Sequence, residues 1–536
     1  MKATRLLSTL KIGLFAFLCF VALIATQGVH AAVPLPTVTG PIPVTAQSYP
    51  FNAASHTTIP QDLTLFGYVE EEYFVSGLAN VYDLNTAGTV IVRTAHAPYS
   101  TRILVRRPAR LRKFSGTVIV ELLNPTARFD LDIQWQLSRG YFLAHGDCWV
   151  GITSKPVAVK ALKHFDPQRY APLSWANPLP PALTCPDPYS PFQPTDTTPA
   201  TENGLVWDIM SQVGALLKKS SLLPPNHPLH GFSVKRVFAT GYSQTGGFLV
   251  TYINFIRPLA TAHLDNGEPV YDGYLIGDGD ARHTPLNQCA VLLPLDDPRW
   301  IIQPRSEPVI SVVTQTTESI VSINRISRRP DSDWPGDRYR RYEVPGASHL
   351  SQRQIDLSPS LEDKARTGVA PAAQNCIETA QYGRSDFPLE YIMNGAFANL
   401  DAWVRDSRWG IVPPPRAPRI ILDTISHLPV LDGYGNATGG VRTPYLDVPV
   451  ATYYAQSHAA DDMSTFMCEL TGYKVPFDAS LLRQLYPHDC FFGLRNCSYV
   501  RRVRNAVNAL VSNRFITADD GDRIKSEARR AGAQLP

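Results

Sequence analysis

Residues 234–248, Val-Lys-Arg-Val-Phe-Ala-Thr-Gly-Tyr-Ser-Gln-Thr-Gly-Gly-Phe, constrain the fold more than any other stretch of this chain. Val234, Val237 and Phe238 read as a strand, Gly241 to Gly247 interrupt it, and Phe248 to Ile256 suit a helix. A strand that turns sharply into a helix around a serine lifts that hydroxyl above the edge of the sheet, and small neighbours are needed where the two elements nearly touch. Gly241 meets that need on one side. On the other, the residue two after the serine is Thr245, with glycines displaced to 246 and 247, so the motif is a variant. Ser243 is the candidate nucleophile.

A serine hydroxyl is a weak nucleophile at neutral pH and needs a base, which in turn needs an orienting carboxylate. In the order serine, acid, histidine, both partners lie downstream at the ends of later strands. Tyr339 to Val344 reads as a strand that runs into Pro345-Gly346-Ala347-Ser348-His349, a tight loop presenting one imidazole. His349 is the candidate base. The preceding strand, Pro308 to Val313, leads to Thr314-Gln315-Thr316-Thr317-Glu318, and Glu318 is the first-choice acid. Asp278 and Asp280, in the loop after Tyr271 to Ile276, are the alternatives. An oxyanion would be held by the Gln244 amide at the helix N-terminus, with a second amide from Leu123 or Asn124. Tyr242 and Trp135 are candidate pocket walls, against the plainer reading of core aromatics.

Around this constellation, strand-like and helix-like segments alternate. Gly116 to Leu123 is an apolar strand suited to burial on both faces, Trp135 to Arg139 is amphipathic, and Cys148 to Ile152 is a second apolar strand. Asn203 to Leu217 and Leu389 to Val404 have helical spacing. Such alternation gives an α/β fold with an open, mostly parallel sheet and helices on both faces. Residues 32–110 are a β-rich N-terminal segment joined to the core, with short runs at Thr89 to Arg93 and Arg102 to Val105. Residues 111–411 form the core, with a Pro-rich insertion at 171–200. Residues 412–536 are a C-terminal extension, either a lid or a second subdomain, ending in helices.

The first 31 residues read as a signal peptide, not structure. Lys2, Arg5 and Lys11 precede an apolar run from Ile12 to Thr26, and Val29-His30-Ala31 suits cleavage before Ala32. Removal deletes those three basic residues and no acid, so the formal charge falls from +3 to zero. That balance argues against nucleic acid as a partner, and no later stretch is long and apolar enough to span a membrane. Seven cysteines remain in an oxidising compartment, so at least one is unpaired. Cys490 and Cys497 are the first choice for a local bridge. No CxxC or HExxH spacing suggests a metal.

Several stretches resemble the bacterial secreted α/β-hydrolase-domain proteins. They are Gly67 to Phe74, Pro98 to Val105, Val118 to Asn124, Trp207 to Gln212, Gly241 to Gly246 and Gly440 to Tyr445, and the likeness covers about residues 60–520. The resemblance implies an α/β-hydrolase fold, carboxylic-ester hydrolysis and no cofactor, with Ser243 and His349 at matching positions. That family commonly carries a Glu-Thr-Asp-like sequence after the penultimate strand, where this chain has Gln315-Thr316-Thr317-Glu318. The expected activity is that of an exported serine ester hydrolase working through an acyl-enzyme on a small or polymeric ester. An acyltransferase with the same residues, or an inactive binding protein of the same fold, are the alternatives.

Overall fold

The computed structural model describes residues 32–186, 200–219, 226–279, 284–291, 293–294, 297–319, 328–405, 413–487 and 497–535. Residues 1–31, residues 187–199 of the Pro-rich insertion, Asp280 and Cys490 lie outside them, as does the side chain of Cys497. The Cys490–Cys497 pairing therefore falls outside the described residues.

One ten-stranded sheet runs through the protein in the order β1-β2-β3-β5-β4-β6-β7-β8-β10-β9. Its strands are β1 (Thr37–Thr39), β2 (Tyr68–Leu84), β3 (Val90–Pro108), β4 (Thr117–Leu123), β5 (Cys148–Thr153), β6 (Arg236–Tyr242), β7 (Gly273–Gly277), β8 (Val309–Thr314), β9 (Ser332–Trp334) and β10 (Asp337–Val344). The six from β5 to β10 in that order pair in parallel. At one edge β1, β2 and β3 are antiparallel, as is β9 at the other. A separate antiparallel pair, β11 (Ala451–Tyr454) and β12 (Tyr473–Pro476), lies in the C-terminal part.

The two short runs expected before residue 110 are one 19-residue strand, β3. Its register against the 17-residue β2 shifts between Ala79 and Tyr82, where His96 takes a positive φ of 58°. A bulge of this kind absorbs extra residues without ending the ribbon. Pro98 is tolerated because β5 pairs with β3 only over residues 103–106, which leaves β3 an edge at the proline.

Helices follow the parallel strands: α1 (Ile133–His145), α2 (Pro156–Phe165), α3 (Val206–Lys218), α4 (Gln244–Thr251), a one-turn α5 (Gln315–Ser319), α6 (Glu390–Arg405), α7 (Cys497–Ser512) and α8 (Ala518–Gln534). Successive residues of a strand point to opposite faces, and both faces of this sheet are apolar. Val118, Val120, Leu122, Val237 and Ile276 bury against Leu162 of α2, Trp207 of α3 and Phe248 of α4. Ile119, Phe238, Leu275 and Ile310 bury against Trp135 of α1 and Phe397 of α6. Val503 and Val507 of α7 and Ile524 of α8 join that second cluster. The helical tail thus packs into the core of the sheet itself, and a Cβ on Gly395 of α6 would lie 2.1 Å from the Phe515 carbonyl in the α7–α8 turn.

Disulfides link Cys185 to Cys289 and Cys376 to Cys468, while Cys148 is free and buried in β5. Such bonds persist in oxidising compartments. Among the described residues no helix is long and apolar enough to cross a membrane.

Candidate active site

At the C-terminal end of β6 the chain reverses into α4 within one residue. Ser243 carries φ 56° and ψ −120°, a conformation that costs an L-residue energy and persists only where its surroundings impose it. The constraint comes from both sides. A Cβ on Gly241 would lie 2.5 Å from the Thr245 carbonyl oxygen, and one on Gly246 would lie 2.8 Å from Cα of Gly279. Thr245 stands where a glycine is usual because its side chain folds back into the turn. Its hydroxyl accepts from the Tyr242 N–H and donates to the Tyr242 carbonyl, both at 3.1 Å.

His349 reaches this serine from the loop after β10, with Nε2 2.8 Å from Ser243 Oγ. On its far side, Nδ1 is hydrogen-bonded to Oδ2 of Asp278. Asp278 follows β7, is fully enclosed, and has a positive φ of 46°. Burial alone would raise its pKa. The charge and hydrogen bond of His349, with two hydrogen bonds from Thr314, outweigh burial and hold the carboxyl below its ordinary range. Ser243 and Gln244 are half-buried, whereas His349 and Asp278 lie beneath them.

A family model described as alpha/beta hydrolase domain matches residues 38–526. The chain belongs to that family. No curated protein matches it. Among solved structures, it is similar to a lipase/esterase from Lactobacillus plantarum at 12% identity, covering 47% of this chain and 83% of that one, with a TM-score of 0.24. A CE15 glucuronoyl esterase from Teredinibacter turnerae is 12% identical over 55% of this chain and 63% of the other, with a TM-score of 0.25. A bacterial esterase is 10% identical over 51% of this chain and 85% of its own, also with a TM-score of 0.25.

In this α/β hydrolase the first-choice acid does not meet the imidazole. Glu318 in α5 is buried between cations, 2.5 Å from Arg341 Nη2 and 2.9 Å from Arg328 Nε. Glu343 completes the cluster, bridging the same two arginines. Burial pushes the Glu318 carboxyl up, and the two guanidinium groups pull against it. Its side chain is committed to holding β10, on which Arg341 and Glu343 stand. Of the two alternatives, Asp278 makes the bond to His349, and Asp280 lies outside the described residues.

Of the two amides expected to complete the oxyanion hole, that of Asn124 is already engaged. The Asn124 N–H is used by the Leu131 carbonyl at 2.8 Å. Leu123 is the last residue of β4, in register with Thr153, and its carbonyl takes the Ser154 hydroxyl at 2.6 Å. What Asn124 contributes is its side chain, whose Nδ2 donates to the Tyr242 carbonyl at 2.7 Å. Beside it the Thr126 hydroxyl lies 3.1 Å from Gln244 Oε1, so this loop rests on the elbow.

The two aromatics expected to line a pocket are both core. Tyr242 is wholly buried beneath the histidine loop, its hydroxyl donating to the His349 carbonyl at 2.9 Å. Trp135 packs on Trp149 at 5.4 Å, with the Arg106 guanidinium 4.6 Å from its ring. A further carboxylate is hidden in an apolar strand: Glu121 accepts from the Gln134 and Trp135 amides and from Trp149 Nε1, which fixes the start of α1. Burial pushes its carboxyl up to about 8.

Proposed function

We propose that this protein is an exported serine hydrolase that cleaves carboxylic esters through an acyl-enzyme. One observation carries the reading: Ser243 Oγ, the two nitrogens of His349 and Asp278 Oδ2 form an unbroken hydrogen-bonded line that ends at a half-buried hydroxyl. A line of this kind suits proton withdrawal from the serine as it attacks a carbonyl carbon. His349 Nε2 takes the proton, and the ionised Asp278 stabilises the imidazolium and fixes the tautomer with its proton on Nδ1. The proton then passes to the departing alkoxide, which leaves as an alcohol. Water, deprotonated by the same nitrogen, attacks the acyl-serine, and the carboxylic acid is released with Ser243 restored.

The negative charge on the carbonyl oxygen falls to the Gln244 amide at the first turn of α4, where the helix dipole adds to it. In the 125–128 turn the Thr126 N–H is used by Asn124 Oδ1 and the Arg128 N–H by the Pro125 carbonyl. The second donor belongs to the 123–127 stretch that rests on the elbow. One such donor contributes about 3–4 kcal/mol to lowering the barrier. Export follows from the leader at 1–31, and the two disulfides accord with it.

Ser243→Ala should abolish turnover of a p-nitrophenyl ester while the circular dichroism and melting curve stay as in the parent. A fluorophosphonate should label the parent at Ser243 and leave the variant unlabelled. Turnover at the parental rate in the variant would refute the reading.

A further inference from the structure

Where β8 gives way to α5, three successive buried side chains grip three different parts of the site. The Thr314 backbone N–H donates to Asp278 Oδ1 at 2.7 Å, and its hydroxyl donates to Oδ2 at 2.7 Å. The Gln315 side-chain oxygen accepts the Gly346 N–H at 2.7 Å. The Thr316 hydroxyl accepts the His349 N–H at 3.0 Å and donates onward to the Ala455 carbonyl at 2.6 Å. One tripeptide therefore holds both the carboxylate and the loop carrying the imidazole.

We propose that Thr314 is a positioning residue for the reaction, fixing the plane of the Asp278 carboxylate so that Oδ2 faces His349. The inference rests on the catalytic reading above and deepens it. A buried carboxylate on a single torsion can present either oxygen, or neither, to a neighbouring ring. Thr314 removes that freedom by engaging each oxygen with its own donor. The backbone is pinned as well, because the Asp278 N–H donates to the Val312 carbonyl at 2.8 Å. Oδ2 then receives two donors, the Thr314 hydroxyl and His349 Nδ1, and the ionised form is favoured. The titratable groups facing this carboxylate are His349 from the loop after β10 and the Tyr242 phenol from β6. Gln315 and Thr316 serve the other half of the pair, setting where the imidazole loop sits.

The test is Thr314→Val, which keeps the shape and the amide and deletes the hydroxyl. Hydrogen bonds to charged groups are strong enough that kcat should fall about ten- to a hundredfold, with KM within about twofold of the parent since no substrate contact is lost. The acid side of the activity profile should move to higher pH, because a carboxylate with one donor fewer protonates more readily. Thr314→Ser should restore most of the rate. In an Asp278→Asn background, Thr314→Val should cost less than about twofold, since the group it positions is gone. A threonine that merely stabilises the fold would slow both backgrounds alike. That result, or a parental kcat and pH profile in Thr314→Val, overturns the proposal. If the valine variant fails to fold, Thr314→Ala removes the same hydroxyl and carries the same expectations. Should Ser243→Ala remain active, it is the hydrolase reading that fails. Loss in Ser243→Ala with none in Thr314→Val sinks the positioning role alone.

Discussion

Asp278 and Glu318 sit one strand apart, each just past the end of a parallel strand and each almost wholly buried. Their surroundings set them on different courses. Asp278 faces one imidazole and two donors from a threonine, so its charge is stabilised by groups that leave Oδ2 aimed at His349. Glu318 faces two guanidinium groups and shares them with Glu343, so its charge is spent within a structural cluster. A carboxylate at a strand end is thus assigned by its partners, not by its place in the order of strands.

The sharpest way to break this contrast is to neutralise each acid in turn. Asp278→Asn should lower kcat on a p-nitrophenyl ester by about 10⁴-fold, because an amide cannot stabilise the imidazolium or hold its tautomer. Glu318→Gln should leave the rate per folded molecule within a few-fold of the parent. If Glu318→Gln is the variant that loses turnover, the two roles are exchanged.

Stability should respond in the opposite sense. Removing one member of a buried ionic cluster leaves its partners uncompensated and costs about 3–5 kcal/mol, so Glu318→Gln should unfold at clearly lower denaturant concentration. Equal midpoints for Glu318→Gln and the parent would mean that the arginines find other partners.

The smallest effect concerns pH. Asp278 has its carboxyl held below the ordinary value of 3.8, so its contribution to stability is present above that value and lost as pH falls through the native pKa. The difference in unfolding free energy between the parent and Asp278→Asn should therefore narrow as pH is taken from 6 towards about 3. A constant difference would show that the ionised carboxylate adds nothing to the fold.

Much of this arrangement is legible in the chain itself. The elbow is local, since Gly241 and Gly246 are required by contacts within the turn and with its immediate neighbour, and a sequence motif records such needs well. His349 follows from strand order and a Pro-Gly loop. The acid is harder, because the choice between two carboxylates depends on which arginines cross from β10 and from Arg328. One clue was present: Asp278 stands between Gly277 and Gly279, and a Cβ on Gly279 would lie 2.2 Å from the Ser243 carbonyl oxygen. Glycines on both sides of an acid mark a loop pressed against another backbone. The engagement of the Asn124 amide is hidden for a related reason. An N–H has no identity in sequence, and only the isolated bridge of Asn124 with Leu131 shows that it is already taken. The reading of β3 as two pieces failed because a bulge and an edge proline look, in one dimension, like turns.

The contacts of the C-terminal part with the histidine loop bear on where a working unit can be cut. Thr316 is tied to the Ala455 carbonyl, and the Leu350 N–H to that of Leu470. A fragment trimmed just after the histidine loop would keep Ser243, Asp278 and His349, yet the Ala455 and Leu470 carbonyls that brace that loop would be missing. The smallest competent piece of this enzyme is consequently far larger than the sheet that displays its chemistry.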